Sequence, residues 1–404
     1  MKDKLKIGIV GLGRTRGYPI FEVFCGEENA EVVGLCDLYD ERINAAEKRL
    51  EELGKKRVFS TKNYSELLAK AGPDAVFIAT SWNHHVDIAV EAMERGIAVA
   101  MEVGGAYSEE DCWRLVRTYE RTKTPFMYME NCCFNRSEMM LANMARDGLF
   151  GKIVHCSGSY AHDLRDEVFT GEEKKHYRIH DYMLRNCENY PTHELGPLSK
   201  MLDINCGNRM LSLVCMASDA IGMEEYAAAH GADILHKKFR QSDVVNTIIK
   251  CAGGQTITLK LDTVLPRYYD RNLVVEGTKG LFSQSLYAVF LDGIHKEKNE
   301  TFETVKSILG NAAEYEEKYL PDIWKGITAE EQETGHGGMD ILMIRYFIGS
   351  LLGGRPLSPD VYDAASWMSV SYLTEQSLLC GGAPQPIPDF TRGKWLDRKA
   401  NPSL

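Results

Sequence analysis

The fold class predicted by the sequence is α/β plus α+β: a doubly wound parallel sheet at the N-terminus, then a domain with a mostly antiparallel open sheet. Three observations predict it. A β-branched run at residues 5–10 meets glycines 11, 13 and 17 without a linker, and the next apolar run closes on Asp37. Short apolar runs then alternate with helix-length segments up to residue 129. Beyond Gly151 strand-like segments follow one another through turns such as Gly253-Gly254, the pattern of antiparallel pairing.

Leu5-Lys6-Ile7-Gly8-Ile9-Val10 reads as the buried first strand of a parallel sheet. Gly11-Leu12-Gly13-Arg14-Thr15-Arg16-Gly17 follows, then a helix-compatible segment at 18–25 and a strand at 30–36 ending at Asp37. Strand, glycine turn, helix, strand, acid is the order of a Rossmann dinucleotide site. The glycines let backbone approach a pyrophosphate, the helix N-terminus stabilises its charge, and the acid accepts bonds from ribose hydroxyls. Gly11, Gly13, Gly17 and Asp37 are therefore cofactor-binding candidates, although one extra residue precedes Gly17 relative to the commonest spacing. Arg16 either touches a phosphate or lies on the surface. Asp37 favours NAD over NADP, whose 2′-phosphate a carboxylate repels.

Strands at 74–80, 97–102 and 126–129 and helices at 86–95 and from Ser108 complete this unit, with Asp111 at the third helical position after the Ser108 cap. Ser81, Trp82 and His84 fall at the carboxyl end of a strand, where open parallel sheets bind ligands. Further strands are expected at 153–160, 244–251, 256–261 and 272–276, and helices at 339–352 and 361–379. The division expected is 1–127 for a nucleotide domain, 128–375 for a substrate domain and 376–404 for a tail packing back on the body.

A chain of 404 residues with 44% hydrophobic and 26% charged residues can bury two cores. Its net charge of -11 argues against a nucleic-acid binder but not against a nucleotide held by backbone amides. No apolar run approaches the roughly 20 residues of a membrane span, and the run at 7–12 is too short for a signal core. The 11 scattered cysteines form no CxxC pair and read as reduced thiols of a cytoplasmic protein. Cys132-Cys133 has no histidine at metal-ligand spacing and is not a zinc motif, so no metal ligand is assigned, and a divalent ion on His193, His336 and a carboxylate is left open.

Residues 160–197 concentrate proton carriers and anion binders: Tyr160, His162, Arg178, His180, Tyr190 and His193. Tyr160 and His162 stand two apart on a strand and face one side, where an imidazole exchanges protons near neutrality. A Tyr–His pair satisfying backbone groups is the alternative. Arg178 forks onto a ligand or pairs with a nearby acid. Tyr190 and His193 flank a proline that stiffens the loop, and His193 either orients a hydroxyl or caps a helix. His336 and Asp340 share a helix face if that helix begins at Gly337-Gly338, as a ligand-facing pair or simply a helix start.

With these residues in place, positions 1–130 resemble the Gfo/Idh/MocA oxidoreductases, the relatives of glucose–fructose oxidoreductase and inositol dehydrogenase. That family carries Glu-Lys-Pro where this chain has Glu102-Val103-Gly104, and Val103 cannot supply the lysine's proton. The whole chain is similar to glycoside hydrolase family 109, the NAD-dependent glycosidases. The matching blocks are Ser81-Trp82-Asn83-His84, Glu102-Val103, Glu130-Asn131-Cys132, Tyr160-Ala161-His162-Asp163-Leu164-Arg165, Arg178, Tyr190-Pro191-Thr192-His193 and Gly196-Pro197. Pro266-Arg267-Tyr268-Tyr269, His336-Gly337-Gly338-Met339-Asp340 and Pro388-Asp389-Phe390-Thr391-Arg392-Gly393 complete them.

The resemblance implies a recycled NAD+ that oxidises C3 of a glycoside, so that a base removes the C2 proton, the aglycone leaves C1, water adds and C3 is reduced again. No pair of carboxylates flanking the scissile bond is needed. It implies Tyr160 and His162 as the catalytic pair with His193 beside them. Glu130, Arg178, Tyr190, His193 and Tyr269 become sugar contacts, with His336 and Asp340 as further substrate candidates. Arg16, Ser81, Trp82, His84, Glu102, Val103 and Asn131 join the NAD site. N-acetylgalactosaminides are the substrate associated with the family. An NAD-dependent sugar or cyclitol dehydrogenase, with His162 or His193 replacing the missing lysine, is the competing expectation; an NAD-binding sensor is a third. The expected partner is a small glycoside, with no nucleic acid or membrane, in a homo-oligomer of two or four copies.

Overall fold

The computed structural model describes residues 3–104, 106–231, 238–296 and 302–401. The chain forms two compact units, Met1–Phe134 with Asp322–Ala365 and Asn401–Leu404, and Asn135–Pro321 with Ser366–Ala400. Where the sequence suggested breaks near 127 and 375, the units divide at Phe134, Pro321 and Ala365. The late segment joins the first unit because helix Met339–Leu352 packs on helix Gly17–Gly26 and on the 3₁₀ turn Asn131–Phe134.

Six parallel strands form the sheet of the first unit: β1 (Leu5–Val10), β2 (Ala30–Cys36), β3 (Phe59–Thr61), β4 (Ala75–Ile78), β5 (Ala98–Met101) and β6 (Phe126–Tyr128). Their order is β3-β2-β1-β4-β5-β6, so the direction of winding reverses between β1 and β4 and opens a ligand crevice at their carboxyl ends. β4, β5 and β6 are buried at every position because helices cover both faces. Ser108 caps helix Glu109–Thr122 by accepting the Asp111 N–H, as its sequence implies. One helix begins earlier than expected, at Trp82. Trp82, Val86, Ala89 and Met93 form one buried stripe at helical spacing, which carries the helix back through what reads as a loop.

The second unit holds an eight-stranded sheet of β7 (Ile153–Ala161), β8 (Met210–Ala217), β9 (Val244–Cys251), β10 (Thr256–Asp262), β11 (Val274–Gly277), β12 (Gly280–Ser283), β13 (Ala288–Leu291) and β14 (Gln385–Pro386). The order is β13-β12-β11-β7-β10-β9-β8-β14, and every neighbouring pair is antiparallel except β7 with β10. The mostly antiparallel sheet expected from the sequence is present. β9 shows why: Val245, Thr247, Ile249 and Cys251 are buried while Asn246, Ile248 and Lys250 are exposed. Cys156, Ile249, Ile257, Leu259, Val275 and Phe282 fill the core on one face. Among the described residues no helix is long and apolar enough to cross a membrane.

Candidate active site

In the first unit the glycine turn leaves no room for side chains at two of its glycines. Gly11 has φ +96, and a Cβ on it would lie 2.3 Å from the Ala79 carbonyl oxygen. A Cβ on Gly17 would lie 2.3 Å from the Gly11 carbonyl oxygen. At Gly13 it would meet only Arg42 Nη1, at 3.9 Å, so the turn stays open there. No side chain caps helix Gly17–Gly26, and no acid stands in its first turn. An open turn at an uncapped helix N-terminus fits an anionic pyrophosphate. Asp37 Oδ2 accepts the Leu12 N–H at 2.7 Å and Oδ1 the Tyr39 N–H at 3.0 Å. Its carboxylate thus braces the glycine turn at the end of β2, where ribose hydroxyls are read.

The three glycines differ in a measurable way. Gly17→Ala drives a methyl into backbone and is expected to destabilise the protein by about 3 kcal/mol, read as a lowered Tm. Gly13→Ala is expected to melt like the parent and yet lose NAD affinity, because its methyl occupies the space left for phosphate. Equal melting losses from both would remove Gly13 from the nucleotide site.

Toward the far edge of the same sheet, Glu102 closes β5. Its Oε1 accepts from Arg16 Nε at 2.7 Å, and Arg16 Nη1 donates to Asp340 Oδ1 at 2.7 Å. Arg16, drawn from the glycine turn, is therefore held between two carboxylates. Burial opposes its charge, but Glu102 and Asp340 outweigh burial and keep it protonated. Asn131 Nδ2 donates to Asp340 Oδ1 at 2.9 Å, and His336 Nδ1 lies 2.8 Å from Asp340 Oδ2. His336 and Asp340 do not share a helix face. His336 has φ +53 and precedes the helix, which starts at Met339. Asp340, expected to meet substrate, has its carboxylate taken up by these three neighbours and is 2% exposed.

Trp82 is buried with its indole against Gly104, where φ is +93 and a side chain would collide with Trp82 Nε1. His84 is exposed beside it. His85 is buried, its ring 3.0 Å from the Thr80 carbonyl, and burial pulls its pKa down to about 4. One ring of the pair is thus accessible and the other packed. Ser81 precedes the helix, Val103 is buried next to Glu102, and Glu130 is buried with Oε1 accepting the Cys132 N–H at 3.0 Å.

In the second unit five residues of the 160–193 stretch and one from a distant loop form a single aromatic and cationic cluster. β7 ends at Ala161, whose N–H and carbonyl exchange bonds of 3.2 and 2.8 Å with Asp270. That clamp brings the preceding Tyr269 edge-on to His162, with ring centroids 5.2 Å apart. Tyr160 and His162 do share a side: the hydroxyl lies 3.4 Å from His162 Nδ1. Tyr190 stacks on Tyr160 at 4.4 Å, and His193 stands edge-on to both at 5.4 and 4.7 Å. Pro191 bends the chain into helix Thr192–Met201, which places His193 in the first turn. His180 is exposed on helix Arg178–Leu184 and stays outside the cluster.

Arg178 lies over the Tyr190 ring at 5.0 Å, and its Nε is 3.3 Å from Glu167 Oε1. The pairing with a nearby acid is thus realised, with Glu167. Burial opposes its charge, yet Tyr160, Glu167, Tyr177 and Tyr190 hold its proton more firmly than in a free arginine. His162 is shifted the other way: burial, then Arg178, lowers its proton affinity, with Glu167 and Asp163 offsetting part of the effect. It is an uncharged imidazole at neutral pH. Glu167 was not legible as Arg178's partner, because Glu172, Glu173 and Asp181 are all nearer to it in the chain.

Residues 5–129 match the oxidoreductase family with NAD-binding Rossmann fold, and residues 134–397 match the glycosyl hydrolase 109 C-terminal domain. The first unit therefore contains an NAD-binding domain. A glycosyl hydrolase family 109 protein of Solibacter usitatus (strain Ellin6076) is 35% identical over 98% of this chain and 90% of its own length. An alpha-N-acetylgalactosaminidase of Tannerella forsythia is 34% identical over 98% of this chain and 88% of its own. Levoglucosan dehydrogenase, solved with NADH and levoglucosan, superposes with a TM-score of 0.71 at 16% identity, over 95% of this chain and all of that one (100%). Apo scyllo-inositol dehydrogenase from Lactobacillus casei gives 0.67 at 13% identity, over 96% and 99%. Those two share the fold of this chain. Sequence likeness across nearly the whole length goes further, and by it the chain belongs to glycosyl hydrolase family 109.

Proposed function

We propose that the protein cleaves glycosides by oxidation, elimination and re-reduction, with N-acetylgalactosaminides or related glycosides as substrates. The observation that carries this reading is the Tyr160–His162 pair, an uncharged imidazole 3.4 Å from a phenol, set among Arg178, Tyr190 and His193. Val103 in place of a lysine supports it, since proton transfer then falls to other side chains.

NAD held at the glycine turn and Asp37 would supply a reversible hydride acceptor for C3. His193 takes the C3 hydroxyl proton during that oxidation, and Arg178 with Tyr190 and Tyr269 holds the sugar. A C3 ketone makes the C2 hydrogen acidic. Tyr160 and His162 together remove it: the C2–H electron pair becomes the C1–C2 double bond, and the aglycone departs from C1 with its bonding pair. The protonated pair then gives a proton to the leaving oxygen. Addition of water across C1 and C2 restores the ring.

Incubation of an aryl α-N-acetylgalactosaminide with the protein in deuterated water tests this. Aglycone release with deuterium at C2 is the expected result. Release without C2 exchange would sink the mechanism. NADH accumulation without release would establish the dehydrogenase instead, a reading that draws on the fold of its neighbours alone.

A further inference from the structure

One cation and two buried carboxylates meet where Arg16 bridges Glu102 and Asp340. All three belong to the first unit, as do Asn131 and His336, which bond to Asp340. A single acid would neutralise Arg16. The second leaves a net negative charge, and an uncompensated buried charge is costly unless something neutralises it. On Glu102 burial raises the proton affinity, Arg16 pulls it down, and Asp340 raises it again by less. Asp340 itself is held well below the usual carboxylate range, because Arg16 and His336 outweigh its burial. His336 is the solvent-facing member, its side chain 57% exposed, and the net negative charge stands while that ring is neutral.

The sheet indicates what neutralises the excess. Asp37 at the end of β2 marks the adenosine side of the dinucleotide, and the glycine turn marks the pyrophosphate. The nicotinamide half then falls toward β4, β5 and β6, whose ends carry Glu102 and Asn131. The oxidised nicotinamide ring carries a positive charge that the reduced ring lacks. We propose that Asp340 is a positioning residue of the NAD site, aiming Arg16 and Asn131, and that its charge makes the site prefer NAD+ to NADH. This rests on the NAD-binding domain and is independent of the glycosidase reading.

The test compares the affinities of the cofactor-free full-length chain for NAD+ and NADH by calorimetry. The parent is expected to bind NAD+ more tightly. Asp340→Asn, which keeps the shape and removes the charge, is expected to lower the NAD+:NADH affinity ratio on the order of tenfold. Asp340→Glu, which keeps the charge and displaces it, is expected to weaken both forms and preserve the ratio. A parent that binds NADH as tightly as NAD+ overturns the proposal without any variant. An unchanged ratio in a folded Asp340→Asn overturns the charge role, and unchanged affinities in Asp340→Glu overturn the positioning role. No sugar enters the assay, so its failure leaves the hydrolysis reading standing.

Discussion

Tyr160→Phe lowers turnover of an aryl glycoside by roughly a hundred- to ten-thousandfold and leaves NAD affinity unchanged. The substitution removes one oxygen and keeps the ring. Stacking on Tyr190 and the edge contacts with His193 and His162 therefore survive, and no cavity of consequence opens. What is lost is the proton carrier beside His162 Nδ1. The parent's pH profile provides a second readout. The pair works as a base only while His162 is neutral, and its proton affinity lies below the ordinary value of about 6.5. The acid limb of kcat/KM therefore falls below that value, with activity lost as pH drops through the lowered one. In Tyr160→Phe the residual activity should no longer follow that limb. A parallel loss of NAD binding would assign Tyr160 to the fold, and a loss of only a few fold would remove it from the chemistry.

Features encoded locally were legible in the sequence, and features made by distant partners were not. Five strands of the first sheet could be read because each is a short apolar run with an adjacent turn, and because the glycine turn's geometry demands specific residues; β3, Phe-Ser-Thr, is three half-buried residues with no apolar run to announce it. β8 escaped because Met-Leu-Ser-Leu-Val-Cys-Met-Ala lacks a clear period of two, and β12, β13 and β14 are too short to show one. The placement of Tyr160 and His162 on one side follows from strand geometry, so two residues sufficed to predict it. The bond from Arg16 to Asp340 crosses 324 positions, and no local pattern announces it. His336 was left open between a ligand-facing residue and a helix start for a related reason: only the fold reveals that it takes a left-handed backbone ahead of the helix. Arg178 was ambiguous between ligand and ion pair because its sequence neighbourhood offers several acids, and the fold selects Glu167.

Glu188→Gln should stabilise the protein at alkaline pH and leave it nearly unchanged at pH 5. Glu188 is fully buried two residues before Tyr190, and neither carboxyl oxygen has a hydrogen-bond partner among the described residues. Its own N–H is anchored on Thr374 Oγ1 at 2.9 Å, so the side chain cannot swing out without disturbing the loop. Burial pushes its pKa up to about 8; the Tyr190 N–H favours the ionised form slightly but makes no well-formed bond to it. A folded-state value raised above the ordinary 4.5 means that the native chain holds a proton the unfolded chain has released. Stability is then fully present below the ordinary value and declines by about 1.4 kcal/mol per pH unit as pH rises toward the folded value. Glutamine has nearly the same shape as the protonated acid and never ionises, so this decline should vanish in the variant. Melting curves from pH 5 to 9 would show the two proteins diverging on the alkaline side. Curves that stay parallel across that range would mean that Glu188 is ionised and paired in the native state. Because the loop from Glu188 to Pro191 presents Tyr190 to the cluster, the same ionisation in the parent should loosen sugar binding before it unfolds the chain. A KM that climbs above pH 8 in the parent and stays flat in Glu188→Gln would tie the buried carboxyl to the site it supports.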